Sequence, residues 1–185
     1  VKKQIASGYA KKELTSFKAS DGQKVDIYVI KPMNFDKNKK YPLIVNIYGG
    51  PGSQGVYNDF ASNGWEQYLA QEGFVIINVN NRGSGGYGSK FEKVVYKNLG
   101  HNEAKDFAEA AKFMATKPWV DGNKIAIRGH SYGGYMASFT QLNYPDIFKV
   151  AIVTAPVTDW RLYDSIYTER YMGLLGENEK GYINS

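Results

Sequence analysis

The residues best suited to chemistry are Gly129-His130-Ser131-Tyr132-Gly133-Gly134. A serine stands here between an apolar, β-branched run, Lys124 to Arg128, and a run of helical character, Tyr135 to Leu142. A Gly-x-Ser-x-Gly at a strand-to-helix junction forces a turn sharp enough to lift the hydroxyl clear of the backbone. The flanking glycines are needed because a Cβ there would collide with the adjoining strand and helix. Such a Ser131 would attack a carbonyl once a general base takes its proton. The plainer reading is a Gly-rich turn that packs a helix on a sheet, with Ser131 as its N-cap.

A nucleophilic serine needs a base and an oxyanion site, and the two searches end differently. The only histidines are His101 and His130, both before the serine. His130 adjoins the nucleophile at the elbow, where its side chain should point away from the hydroxyl. His101 precedes a predicted helix, and a capping or surface role is expected of it. Asp146, Asp159 and Asp164 follow the serine but fall in a turn or an aromatic segment, not in the setting of an orienting acid. For the oxyanion, the backbone N–H of Tyr132 is one donor, being the residue after the nucleophile. Tyr48, at the end of an apolar strand, fits a hydroxyl donor and an ordinary amphipathic strand-end tyrosine equally well. The stripe Trp160, Tyr163, Tyr167, Tyr171 recurs at roughly helical intervals, a pattern that usually marks core.

These residues are carried by strands and helices in alternation. Leu14 to Ala19 and Lys24 to Ile30 read as a hairpin across Ser20-Asp21-Gly22-Gln23. Leu43 to Tyr48, Phe74 to Val79 and Val150 to Val153 are short apolar runs, and with the run before Ser131 they make six strands. Trp65 to Gln71 reads as a helix closed by Gly73. Ala104, Phe107, Ala108, Ala111, Met114 and Ala115 repeat with helical spacing after a candidate cap, Asn102. Apolar runs in place of alternation imply strands covered on both faces, hence an α/β fold with a mostly parallel sheet and helices on each side.

Composition narrows the remaining classes. The 185 residues are 43% hydrophobic, enough to bury a core, and residues 1–185 read as one domain. The net charge of +5 is spread over scattered lysine pairs, Lys2-Lys3, Lys11-Lys12 and Lys39-Lys40. That is a solvated surface and no nucleic-acid footprint. With no cysteine there is neither a disulfide framework nor a thiolate metal site. No apolar run approaches membrane-spanning length, and no signal-peptide pattern opens the chain.

Several strings together resemble a known family. Tyr41-Pro42-Leu43, Tyr48-Gly49-Gly50-Pro51-Gly52-Ser53-Gln54, Asn81-Arg82-Gly83-Ser84-Gly85 and Gly129 to Tyr135 are similar to the catalytic domain of the prolyl oligopeptidase family. Ala155 to Trp160, followed by Tyr163 to Gly173, resembles its dipeptidyl peptidase IV branch. The similarity runs in order from about Tyr9 to the end. It departs at Asn80-Asn81, where the family often has an acidic residue, and at His130, where it often has tryptophan.

The resemblance implies an α/β-hydrolase fold and a serine-type peptidase releasing dipeptides after penultimate proline or alanine. An acyl-enzyme would form on Ser131, with no metal or organic cofactor and a peptide as partner. It assigns the second oxyanion donor to the Tyr48 hydroxyl, and a proline-ring pocket to Tyr132, Val157, Trp160, Tyr163 and Tyr167. An acylaminoacyl peptidase or esterase on the same scaffold, or a non-catalytic binding remnant, are the alternatives. The family carries its acid and histidine after the seventh and eighth strands, so the chain is expected to be a partial catalytic domain, truncated before the last two strands. A β-propeller, which in this branch anchors the substrate amino terminus, would also be absent. Val150 to Val153 would then pair with a companion segment or a second copy. The resemblance favours an extracytoplasmic or membrane-associated setting.

Overall fold

Strands form where the apolar runs lie, and their neighbours decide how far each is covered. In the computed structural model, which describes residues 8–59 and 63–185, β1 (Lys12–Lys18) and β2 (Lys24–Ile30) make the expected antiparallel hairpin. Its turn is closed by the Gly22 N–H on the Ala19 carbonyl and the Ala19 N–H on the Gln23 carbonyl, both 2.8 Å. With β3 (Tyr41–Ile47), β4 (Val75–Asn80), β5 (Val120–His130) and β6 (Val150–Thr154) it forms a sheet of order β1-β2-β4-β3-β5-β6. The β2–β4 pair is antiparallel, whereas β4–β3, β3–β5 and β5–β6 are parallel.

Parallel neighbours need long crossovers, and helices supply them. Helix α1 (Gly64–Gln71) lies between β3 and β4, α3 (His101–Ala115) between β4 and β5, and α4 (Tyr132–Asn143) between β5 and β6. A short α2 (Ser89–Glu92) precedes α3. Helices α5 (Ser165–Met172) and α6 (Glu179–Asn184) follow the sheet. On one face, Val25, Ile27, Val45, Ile77 and Ile127 pack against Phe107, Ala111 and Met114 of α3 and Met136 of α4. The smaller core on the other face joins Tyr28, Ile44 and Ile76 to Leu69 and Ala70 of α1.

Three expectations change. The α3 cap is Gly100, with φ 97°, and not Asn102. The glycine adopts a left-handed conformation costly for other residues, and Glu103 receives its N–H. Strand β5 begins at Val120, which pairs with Tyr41 across an irregularity in register. β6 is not covered on both faces, since Val150, Ile152 and Val153 are 53%, 43% and 39% exposed. As the outermost strand among the described residues it pairs only with β5, and α4 is the helix that packs on it.

Lys11, Lys39 and Lys40 are exposed, as a solvated surface requires, and Lys12 lies over the Tyr28 ring at 4.7 Å; Lys2-Lys3 lies outside the described residues. Among the described residues no helix is long and apolar enough to cross a membrane.

Candidate active site

Three loops leave the carboxyl ends of adjacent parallel strands, the edge where open α/β sheets bind ligands. Tyr48 follows β3, Ser131 follows β5 and Ala155 follows β6. Ser131 has φ 59° and ψ −120°, and Ala155 has φ 44°. A non-glycine residue held there costs on the order of 1–3 kcal/mol and persists only where its surroundings over-determine it. Those surroundings are tight. A Cβ on Gly129 would lie 2.1 Å from the Gly133 carbonyl oxygen, and one on Gly133 would lie 2.4 Å from that of Ile47. The Ser131 N–H donates to the Thr154 carbonyl at 2.9 Å, and the Ser131 carbonyl accepts from Tyr135 at 3.1 Å. The serine side chain is half-buried at the mouth of this elbow.

Tyr132 opens α4, so its N–H belongs to the first turn, which lacks intrahelical acceptors, and no backbone group takes it among the described residues. Its ring is buried, 6.0 Å from the half-exposed Tyr48 ring. Burial pushes the Tyr48 hydroxyl above the ordinary tyrosine range, with Tyr163 and Tyr171 adding to this and a hydrogen bond from Tyr167 opposing it. Tyr48 therefore stays a protonated donor at neutral pH.

The aromatic stripe forms one cluster with two characters. Trp160 is 2% exposed, 5.5 Å from the Tyr132 ring, stacked on Tyr167 at 6.1 Å and edge-on to Tyr163 at 5.9 Å. Tyr167 reaches Tyr171 at 4.9 Å, and Val157 packs against the same cluster. Tyr163, by contrast, is 44% exposed. Trp160 is core, Tyr167 and Tyr171 are half-buried, and Tyr163 is open surface. Asp164 sets the orientation of the stripe by capping α5, accepting the Tyr167 N–H at 2.8 Å.

The histidines and acids stand apart from the serine. A His101 ring nitrogen lies 2.8 Å from the Asn184 carbonyl, and the ring meets Phe139 edge-on. His130 is exposed. Neither is hydrogen-bonded to Ser131 among the described residues. Asp159 grips Arg161, whose hydrogen bonds hold its carboxyl down to about 2, and Asp146 lies in the turn before β6. No three His, Asp or Glu side chains gather as a metal site among the described residues.

Beneath the site lies a polar layer that sequence reasoning missed. Glu103 and Asp106 of α3 are fully buried. Glu103 accepts the Tyr132 hydroxyl at 2.8 Å and the Gly100 N–H at 3.1 Å. Asp106 accepts the Arg82 backbone N–H and guanidinium, while Asp21 takes a further Arg82 nitrogen, so Arg82 braces its loop. At the Asn80-Asn81 departure, Asn81 Nδ2 donates to the Gly49 and Arg82 carbonyls, and the Asn80 amide both accepts and donates. Asn80 Oδ1 accepts from Gly55 and Val56, and its Nδ2 donates to the Val56 carbonyl and to Tyr87; a carboxylate could only accept. Glu103 at the third helical position, behind a glycine cap, was the available signal, because a capping acid at that place faces the helix end.

The arrangement matches known proteins closely. Residues 60–185 match the family model described as the prolyl oligopeptidase family. A curated protein of Arthroderma gypseum named "Probable dipeptidyl-aminopeptidase B" is 47% identical over 164 residues, which cover 88% of this chain and 18% of that protein. One of the same name in Paracoccidioides lutzii is 45% identical over 166 residues, 89% of this chain and 18% of its own. The crystal structure of Porphyromonas gingivalis dipeptidyl peptidase 4 superposes with a TM-score of 0.94 at 38% identity, covering 99% of this chain and 26% of that one. The mixed sheet with its helices has the α/β-hydrolase fold. The chain spans about a fifth of the curated relatives' length and about a quarter of the solved structure's.

Proposed function

Because the chain belongs to the prolyl oligopeptidase family, we propose that it carries the nucleophile of a serine dipeptidyl peptidase that releases dipeptides after penultimate proline or alanine. The observation that carries the reading is the strained Ser131 elbow, set beside Tyr48 and an aromatic cluster open at Tyr163. In this reading the Ser131 Oγ attacks the scissile carbonyl while a base takes its proton. The Tyr132 N–H and Tyr48 O–H hold the oxyanion. The base returns the proton to the departing amine, and water then releases the dipeptide from the acyl-enzyme.

A proline ring is compact, rigid and apolar, which suits the space bounded by Tyr132, Val157, Trp160, Tyr163 and Tyr167. The proton acceptor is the open element. Neither His101 nor His130 is bonded to Ser131, so the reading takes the base and its acid from outside these 185 residues. It also has the exposed edge of β6 covered by a companion segment or a second copy.

The test is to treat the full-length protein with a fluorophosphonate and map the adduct, alongside turnover of dipeptide substrates ending in proline. The expected result is a single adduct on Ser131 and loss of both signals in Ser131→Ala. Labelling of another serine, or full turnover by Ser131→Ala, overturns the assignment. The lack of a base beside Ser131 favours one other reading, a non-catalytic binding piece, and that would show as no turnover and no labelling by the full-length protein.

A further inference from the structure

The Glu103–Tyr132 hydrogen bond ties a fully buried carboxyl to the residue directly after the candidate nucleophile. Resting on the reading of Ser131 as nucleophile, we propose that Glu103 is a positioning residue for the oxyanion site, acting through the side chain of Tyr132 on that residue's backbone N–H. Glu103 does not touch the reacting atoms. It anchors the far end of the side chain whose near end is the donor.

The geometry makes Tyr132 a lever with few other restraints on its hydroxyl. Backbone hydrogen bonds hold Ser131 on either side, to Thr154 and from Tyr135, but among the described residues the Tyr132 N–H is held by no backbone acceptor. What orients that residue is its ring, wedged between Tyr48, Tyr135 and Trp160 at 6.0, 5.4 and 5.5 Å. Aromatic contacts alone permit sliding in the ring plane. A hydrogen bond at the ring's tip removes that freedom, and here the tip has one partner, Glu103 at 2.8 Å.

Glu103 is itself fixed. Its second oxygen takes the Gly100 N–H at the start of α3, where a Cβ on Gly100 would come within 2.3 Å of the Tyr135 hydroxyl. The carboxyl thus couples the first turn of α3 to the first residue of α4. Two donors converge on it, and above about pH 7 the ionised carboxylate can accept both, where an amide offers one acceptor and must place its own N–H₂ against the other donor. Among the described residues no cation is paired with it, and the nearby Arg82 is taken by Asp106 and Asp21. A buried acid without a counter-charge is costly to keep for packing alone.

The experiment compares Glu103→Gln, Tyr132→Phe and the double variant of the full-length protein, using two readouts. One is kcat and KM on a proline dipeptide substrate. The other is the rate at which a fluorophosphonate modifies Ser131, which reads the oxyanion site whatever the natural substrate. Each single variant is expected to lower kcat and the modification rate by about tenfold, less than the 10²–10³ lost with a whole oxyanion donor. KM should move less than about threefold, and the double variant should be no worse than the worse single, as for two ends of one bond. A packing role would instead give unchanged kcat per folded molecule, or losses that multiply. Tyr132→Phe preserves volume, so if Glu103→Gln does not fold, full activity of Tyr132→Phe alone overturns the proposal. A wild type that modifies normally but turns over no dipeptide substrate would count against the peptidase reading and leave the modification rates to decide this one.

Discussion

The Arg82 guanidinium lies flat against the Asp106 carboxylate, with Nη2 2.6 Å from Oδ1 and Nε 3.1 Å from both oxygens. The same carboxylate accepts the Arg82 backbone N–H at 2.7 Å, so one side chain on α3 holds both the loop's backbone and its charge. Removing one partner would leave a buried charge unpaired. Arg82→Met should therefore cost about 3–5 kcal/mol of stability, and Arg82→Lys a large part of it, because a point charge cannot form the fork. Urea denaturation measures both. A loss below about 1 kcal/mol for Arg82→Met would show that the loop is held by its glycine turns instead.

Tyr48→Phe keeps the ring and deletes the proposed donor. Its hydroxyl would serve a charge present mainly in the transition state, so kcat should fall by about 10²-fold or more with KM little changed. Steady-state kinetics on the full-length protein separates the cases. A change confined to KM would make Tyr48 a ground-state contact.

Tyr163 is the exposed member of the aromatic cluster, so it can be removed with little damage to the core. If the cluster is the proposed proline pocket, Tyr163→Ala in the full-length protein should erode a preference for proline over bulkier residues by about tenfold in kcat/KM. Selectivity that survives would mean the cluster is core throughout and the pocket lies elsewhere.

Glu103 gives stability a pH dependence opposite in sign to that of an ion-paired carboxylate. Burial raises its carboxyl from 4.5 to about 7, so between those values the folded chain keeps a proton that the unfolded chain has lost. Its stabilising contribution is complete below about pH 4.5 and is lost as pH rises through about 7. The full span is worth roughly 3 kcal/mol. Thermal unfolding from pH 4.5 to 8 should show Glu103→Gln with a flatter decline than wild type. Parallel curves would mean that Glu103 stays ionised when folded.

The β6 edge should be adhesive. Its apolar, half-exposed residues sit beside unpaired backbone groups, a known template for strand addition. The 185-residue chain expressed by itself is therefore expected to self-associate, and to hydrolyse dipeptide substrates negligibly for want of a base. Light scattering that reports a monomer at high concentration, with slow amide exchange in Val150 to Val153, would contradict the first expectation. Turnover near that of the full-length protein would contradict the second and point to His101 or His130.

Legibility in the sequence followed burial. The runs Ile27 to Ile30, Leu43 to Ile47 and Val75 to Val79 are covered on both faces, and there apolar composition and strand position coincide. Ser131 stands out by its motif, whereas the roles given to Tyr48 and the aromatic stripe come from the family resemblance, since spacing alone marks the stripe as core. Val150 to Val153 is as apolar as those covered runs yet half-exposed, because composition records what a strand can bury and not what lies beside it. Glu103 and Asp106 escaped notice because an acid on a helix resembles a solvated face. Only the folded chain shows Tyr132 and Arg82 arriving from distant loops to meet them.

The Tyr132 ring lies 6.0 Å from Tyr48 and 5.5 Å from Trp160, so in the proposed reading the space for a substrate ring and the cradle for its carbonyl oxygen share a wall. Attempts to retune which residue the protein accepts will meet that wall early. Widening it for a larger side chain tilts the cradle, and selectivity and speed are then traded against one another. Variants that change preference at little loss of rate should, in that reading, map to Tyr163 and Val157 and leave Tyr132 and Trp160 untouched.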